Sequence, residues 1–278
     1  MTTIQEPVNI PAHRIALELV LAKISPQRET RRIVGFVRKT VTGARAGGVV
    51  VGLSGGVDSS VVGALCVRAL GKERVLALLM PSDHTPKQDI EDAEALAKSW
   101  QVESSTVHIS SLMRSFSAAV GLEGTKVAKA NAVARIRMAI LYYYANSLGY
   151  LVGGTGDRSE NLLGYFTKWG DGGTDFLPIA HLYKTQVREL GAYLGLPKGV
   201  VEKPASPQLW AGQRATDEIP ADYDRLDVVL HYLFDMKASR AKAAKAAGLT
   251  IEVVDKVVEM HNGSAHKRVP PPSLIEES

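Results

Sequence analysis

The sequence predicts an α/β protein: a doubly wound parallel sheet with flanking helices and a small helical C-terminal appendage. Three observations predict it. Short β-branched apolar runs alternate with helical patterns, the first run ends in a Gly/Ser turn that opens a helix, and after Pro204 only helical patterns remain. Strands that alternate with helices pair in parallel, carry helices on both faces and gather ligands at their carboxyl ends.

Apolar residues at helical spacing from Ala12 to Ile24 and from Gln27 to Val41 predict two helices ahead of the sheet. Gly48 to Leu53 is the first strand, followed by the turn, a helix from Val57 to Leu70 and a second strand from Val75 to Met80. Pro86 to Trp100 reads as a helix with proline in its first turn, Ser104 to Ile109 as a third strand, and Val127 to Leu148 as a long helix stopped by Gly149. Tyr150 to Val152 is the fourth strand. Pro207, Gly212 and Pro220 then punctuate a polar connector before helical patterns at Tyr223–Asp235, Ala238–Ala246 and Ile251–Met260. The run Val269-Pro270-Pro271-Pro272 cannot continue a helix.

A chain of 278 residues that is 45% hydrophobic can bury a substantial core, which excludes disorder. The net charge of +4 permits an anionic partner, but no basic block is present, so nucleotide phosphates account for it as well as nucleic acid does. Cys66, the single cysteine, sits among Val62, Ala64, Leu65 and Val67 and reads as inert core. No apolar run approaches the roughly 20 residues of a membrane span, and Met1 to Ile10 lacks the pattern of a signal peptide. A cytoplasmic protein with neither nucleic-acid nor membrane partners is expected.

Ser54-Gly55-Gly56-Val57-Asp58-Ser59-Ser60 leaves a buried strand and opens a helix, so its N–H groups and the helix N-terminus form an anion site. It has no Gly-Lys-Ser/Thr ending and is not Gly-x-Gly-x-x-Gly. Asp58, in the first turn, suits a helix-capping acid or a magnesium ligand. Gly52-Leu53-Ser54-Gly55-Gly56 also satisfies the hydrolase nucleophile elbow, but that reading leaves Asp58 and Ser59 idle and lacks an oxyanion loop. The run resembles the pyrophosphate-binding signature of the N-type ATP pyrophosphatases, and the resemblance implies an adenine nucleotide alpha hydrolase-like fold that cleaves ATP between its α and β phosphates.

Gly153 to Glu160 follows the fourth strand, and the glycine-rich run Leu162 to Asp175 holds Lys168, Asp171 and Asp175 beside Tyr165, Phe166 and Trp169, which suits a polar ring. Leu151 to Pro197 and Asn131 to Met138 resemble the ammonia-dependent NAD synthetases, and the likeness runs from about residue 30 to the His266-Lys267-Arg268 tail. Together with the patterns along the chain, it divides the sequence into N-terminal helices (residues 1–45), the ATP-pyrophosphatase core (46–204) and a helical appendage with a substrate-binding tail (205–278), forming one catalytic unit. Carried over position by position, it implies that Gly52, Leu53, Ser54, Gly55, Gly56, Val57, Asp58 and Ser59, with Thr155, Lys184 and Ser206, bind ATP. It assigns Asp58 and Glu160 to magnesium, and Arg135, Lys168, Asp175, His266 and Lys267 to deamido-NAD. The implied reaction amidates deamido-NAD to NAD with ammonia through an acyl-adenylate, releasing AMP and pyrophosphate, in a homodimer. Lys184 is then the electrostatic stabiliser and Asp171 the carboxylate that captures ammonium. Gly164 to Gly173 is read as a lid. Tyr142, Tyr143 and Tyr144 cannot share one helical face, so at least one is expected at the surface or an interface. Two rivals, an RNA-modifying relative and a nucleotide sensor without chemistry, are disfavoured by the lack of a Lys/Arg stripe and by the presence of Asp58, Glu160 and Lys184 together.

Overall fold

The computed structural model describes residues 11–210 and 212–274; the segment read for a signal peptide, residues 1–10, lies outside them. Four short strands, β1 (Val49–Gly52), β2 (Val75–Leu79), β3 (Glu103–Thr106) and β4 (Leu151–Gly153), form one parallel sheet in the order β3-β2-β1-β4. Side chains alternate between faces along each strand, which sorts the core in two. Val49, Val51, Val75, Ala77 and Leu79 point to one face, and Val50, Leu76 and Leu78 to the other.

Helices α2 (Pro26–Gly43), α3 (Val57–Leu70), α4 (Lys87–Trp100) and α8 (Lys184–Tyr193) supply the larger core on the first face, where Val37, Val61, Leu65, Leu96 and Leu190 meet the strands. The long α6 (Lys126–Leu148) covers the second face through Ile140, Leu141, Tyr144 and Ala145. Cys66 is fully buried, and burial pushes its thiol up to about 12, so it stays an inert core residue. β3 carries exposed Glu103, Ser104 and Thr106, a polar edge that discourages further strand pairing.

A second core joins α1 (Ala12–Leu21) to the C-terminal helices α10 (Tyr223–Leu230), α11 (Arg240–Ala247) and α12 (Ile251–Gly263) around Val20, Leu226, Leu230, Ala243 and Val257. The pattern predicted as one helix from Tyr223 to Asp235 changes to a π turn at His231–Asp235. There Asp235 accepts hydrogen bonds from Tyr183 and pairs with Arg158 and His231. Besides α8, the helices α5 (Ser110–Val120), α7 (Arg158–Leu163) and the single turn α9 (Lys198–Val201) lie where the sequence pattern placed none. α5 buries no residue, and its Leu112, Phe116 and Val120 form an exposed stripe. Tyr143 is the exposed member of the tyrosine run. Among the described residues, no helix is long and apolar enough to cross a membrane.

Candidate active site

The carboxyl ends of β1, β2 and β4 open into a cleft of about 570 Å³. Gly52, Leu53, Ser54, Gly56, Val57, Asp58, Ser59, Thr155, Glu160, Asp171, Lys184, Ser206 and Lys267, all singled out in the sequence, line it. The turn after β1 is shaped by its own hydroxyls: the Ser54 N–H donates to Ser59 Oγ at 3.2 Å, and Ser59 and Ser60 donate to the Gly56 carbonyl at 3.1 and 2.7 Å. These bonds leave the first-turn N–H groups of α3 for a ligand, because a helix has no internal acceptors for them. Gly55 stands behind the lining at φ +76, and a Cβ there would lie 2.2 Å from the Asp89 carbonyl oxygen, so glycine is required. Lys203 clamps the turn from outside, donating to the Gly55 carbonyl at 2.9 Å and pairing with Asp89 and Asp92 at 2.5 and 2.6 Å.

Opposite the turn, Asp157 and Glu160 cap α7 reciprocally: Asp157 Oδ1 accepts the Glu160 N–H at 2.8 Å, and Glu160 Oε2 accepts the Asp157 N–H at 3.4 Å. Lys184, the first residue of α8, is 1% exposed and reaches Asp58 and Glu160 at 2.7 Å each and Asp157 at 3.1 Å. Burial pulls its ammonium down, but the carboxylates of Asp157, Asp58 and Glu160 outweigh that pull and hold it well above the usual lysine value. Burial also pushes Asp157 up to about 7 and Glu160 up to about 8, despite Lys184. One cation thus serves three carboxylates at the meeting point of β1 and β4.

The helices bearing these groups are tied together from behind by Asp227 of α10, which is fully buried. Ser159 Oγ donates to its Oδ1 at 2.6 Å, and the Thr185 N–H and hydroxyl both donate to its Oδ2 at 2.8 Å. Ser159 Oγ in turn accepts the Lys184 N–H at 2.9 Å. Burial raises the Asp227 carboxyl to about 6 against the lowering effect of these bonds. Neither Asp227 nor Lys203 was singled out in the sequence; their partners are far away in the chain, so no local spacing betrays them. Asp157 did carry a signal, the Asp-x-x-Glu pattern of a capping box.

Arg135, Lys168, Asp175 and His266 do not line the cleft. Three of them meet at its rim: Arg135 donates to the Lys168 carbonyl at 3.3 Å, and Lys168 Nζ donates to the His266 carbonyl at 2.6 Å. Asp175 lies apart, accepting the Val152 N–H at 2.7 Å and the Tyr142 hydroxyl at 3.0 Å. Within the cleft, Asp171 Oδ1 accepts the Thr167 N–H at 2.8 Å; desolvation raises its carboxyl above the usual value, against that bond and against Lys267 and Arg137. The Arg137 guanidinium, drawn down to about 10 by burial, donates to the Met80 carbonyl and faces the cleft. Residues 164–173, read as a lid, are pinned by Lys267, whose Nζ donates to the carbonyls of Gly164 and Phe166 at 2.8 Å each. Ser206 lines the cleft while its hydroxyl donates to the Gln213 carbonyl at 2.6 Å.

Asp58 and Glu160 are oxygen donors of the kind magnesium takes, usually as one or two carboxylates beside substrate phosphates. Asp58 Oδ1 is buried without a hydrogen-bond partner among the described residues, which leaves an acceptor to spare for a cation. The residues fit the ion.

A family model described as NAD synthase matches residues 29–271. The NH(3)-dependent NAD(+) synthetase of Hyperthermus butylicus is 51% identical over 244 residues, covering 87% of this chain and 88% of that protein. That of Staphylothermus marinus is 44% identical over 272 residues, 97% and 94% of the two chains. Among solved structures, an NMN synthetase from Francisella tularensis superposes with a TM-score of 0.80 at 34% identity, covering 92% of this chain and 100% of that one. An NH3-dependent NAD synthetase from Campylobacter jejuni in complex with the nitrate ion gives 0.77 at 32% identity, covering 91% and 100%.

Proposed function

The chain belongs to the NAD synthase family, and from that membership we propose that it is a ligase that amidates deamido-NAD to NAD with ammonia at the expense of ATP. The observation that supports this most is the Lys184 cluster. It joins Lys184 to Asp58, within the anion-binding turn at Ser54–Ser59, and to Glu160 on the facing helix.

A carboxylate is a poor electrophile, so amidation requires a leaving group. The nicotinate carboxylate attacks the α-phosphorus of ATP, the bond to the β-phosphate's bridging oxygen breaks, and pyrophosphate departs toward the N–H groups of the Ser54–Ser59 turn. When bound, magnesium would be held by Asp58 and Glu160 and would neutralise the departing charge. Lys184, which bridges those two residues, stabilises the phosphates electrostatically. Ammonia then attacks the acyl carbon, AMP leaves, and the ammonium proton passes to a base, for which Asp171 is positioned in the cleft. Thr155 and Ser206 line the nucleotide side, and Arg135, Lys168, His266 and Lys267 at the rim, with Asp175 beside Tyr142, receive the dinucleotide.

The working unit we propose is a homodimer joined through α5 and α6, where Leu112, Phe116 and Val120 on one helix and Tyr143 on the other are exposed apolar side chains.

The test is a product assay with ATP, magnesium and either ammonium or glutamine, run with deamido-NAD and, because one structural neighbour is an NMN synthetase, with deamido-NMN. Equal yields of NAD, AMP and pyrophosphate from deamido-NAD and ammonium support the proposal. Preference for deamido-NMN moves the substrate assignment, and ATP cleavage with neither sinks the amidation reading.

A further inference from the structure

Tyr223 opens α10 and is 4% exposed, and its hydroxyl is a buried polar atom with no hydrogen-bond partner among the described residues. Its surroundings are charged. Lys184 Nζ lies 5.3 Å from the ring centroid, and the phenol sits in the fields of Glu160, Lys184, Asp157 and Asp58. The residue also lines the cleft.

A buried hydroxyl without a partner is a cost that phenylalanine would avoid with the same ring, so its presence calls for a use. The carboxylates around it are engaged with Lys184. A phenol keeps its proton at neutral pH, so the hydroxyl acts as a donor. Its position is also fixed: the Asp222 side chain caps α10 by accepting the Arg225 N–H, and one turn further Asp227 is locked to Ser159 and Thr185. What this donor lacks is an anionic acceptor entering the cleft between the Ser54–Ser59 turn and Lys184.

We propose that Tyr223 is a nucleotide-binding residue of the adenylation step, its hydroxyl donating a hydrogen bond to a non-bridging phosphate oxygen of bound ATP. The assignment rests on the reading of the cleft as an ATP-cleaving site. It makes the C-terminal helices part of the nucleotide site and not only a support for it.

The experiment compares wild type with Tyr223→Phe in the full chain. Thermal midpoints are recorded without ligand and with ATP in the absence of magnesium, and exchange of labelled pyrophosphate into ATP is followed with deamido-NAD present and ammonia omitted. The variant is expected to keep or raise the ligand-free midpoint, since it removes an unpartnered buried group. It should also show a smaller ATP-induced rise and exchange at least about tenfold slower, with the KM for deamido-NAD unchanged. Exchange and ATP-induced rise equal to wild type would overturn the assignment, and so would a fall in the ligand-free midpoint, which would place the hydroxyl's role in packing. Wild-type protein that catalyses no exchange sinks the reading of the cleft itself; exchange in wild type that survives in the variant sinks only the role of Tyr223.

Discussion

At Lys184 the usual arithmetic of buried charge is reversed: the cation is the scarce partner and the carboxylates are in excess. Glu160 has a folded-state value of about 8 against an ordinary 4.5, so between those limits the folded protein holds a proton that the unfolded chain has released. Stability therefore falls as pH rises through that window, because the unfolded state then binds fewer protons than the folded one. Glu160→Gln has no such proton to lose, so the thermal midpoint of the ligand-free variant should gain on wild type from pH 5 to pH 8. The gain is about 2–4 °C for each kcal/mol of the cost removed. Parallel profiles would show that the Glu160 carboxylate is fully stabilised by Lys184. Asp157, raised to about 7 beside the same cation, titrates within the same window.

The first turns of α7 and α8 carry Glu160 and Lys184, and the carboxylate of Asp227 holds those turns in register. Asparagine at that position keeps one acceptor but turns an amide toward a donor, either Ser159 or Thr185. Asp227→Asn is expected to cost about 1–3 kcal/mol in denaturant unfolding. It should slow pyrophosphate exchange on the order of 10- to 100-fold through misplacement of Lys184. The KM for deamido-NAD should hold, since Arg135, Lys168 and His266 meet elsewhere. A variant that loses stability but keeps its exchange rate would confine Asp227 to structural support. Strands β1, β2 and β4 and the α3, α4 and α6 patterns were legible because they bury apolar faces against their neighbours, and the Ser54–Ser59 turn was legible because its chemistry is local. α5 was not, because its apolar stripe meets no core in this chain. Asp227 and Lys203 were not, because each holds residues distant in sequence, and a lone polar residue gives no sign of what lies across the fold.

The whole molecule exposes Leu112, Phe116 and Val120 of α5 and Tyr143 of α6, and their proposed burial in a homodimer is checked by light scattering. Wild type should show twice the chain mass, and Tyr143→Glu, placing a charge on an exposed position that packs no core, should shift it to one. A monomeric wild type would remove the dimer from the account. β1 and β4, by contrast, meet only over Val49–Val51 and Leu151–Gly153, a short ladder between segments far apart in the chain. Pairings of such high sequence separation form late in folding. Asp58 follows β1 and Glu160 follows β4, so any cation shared by the two also fastens that seam. The amide hydrogen of Leu151, which donates to the Gly48 carbonyl, should therefore exchange with solvent more slowly once nucleotide and magnesium are bound than in the free protein. In that sense the substrate completes the sheet as well as filling the cleft.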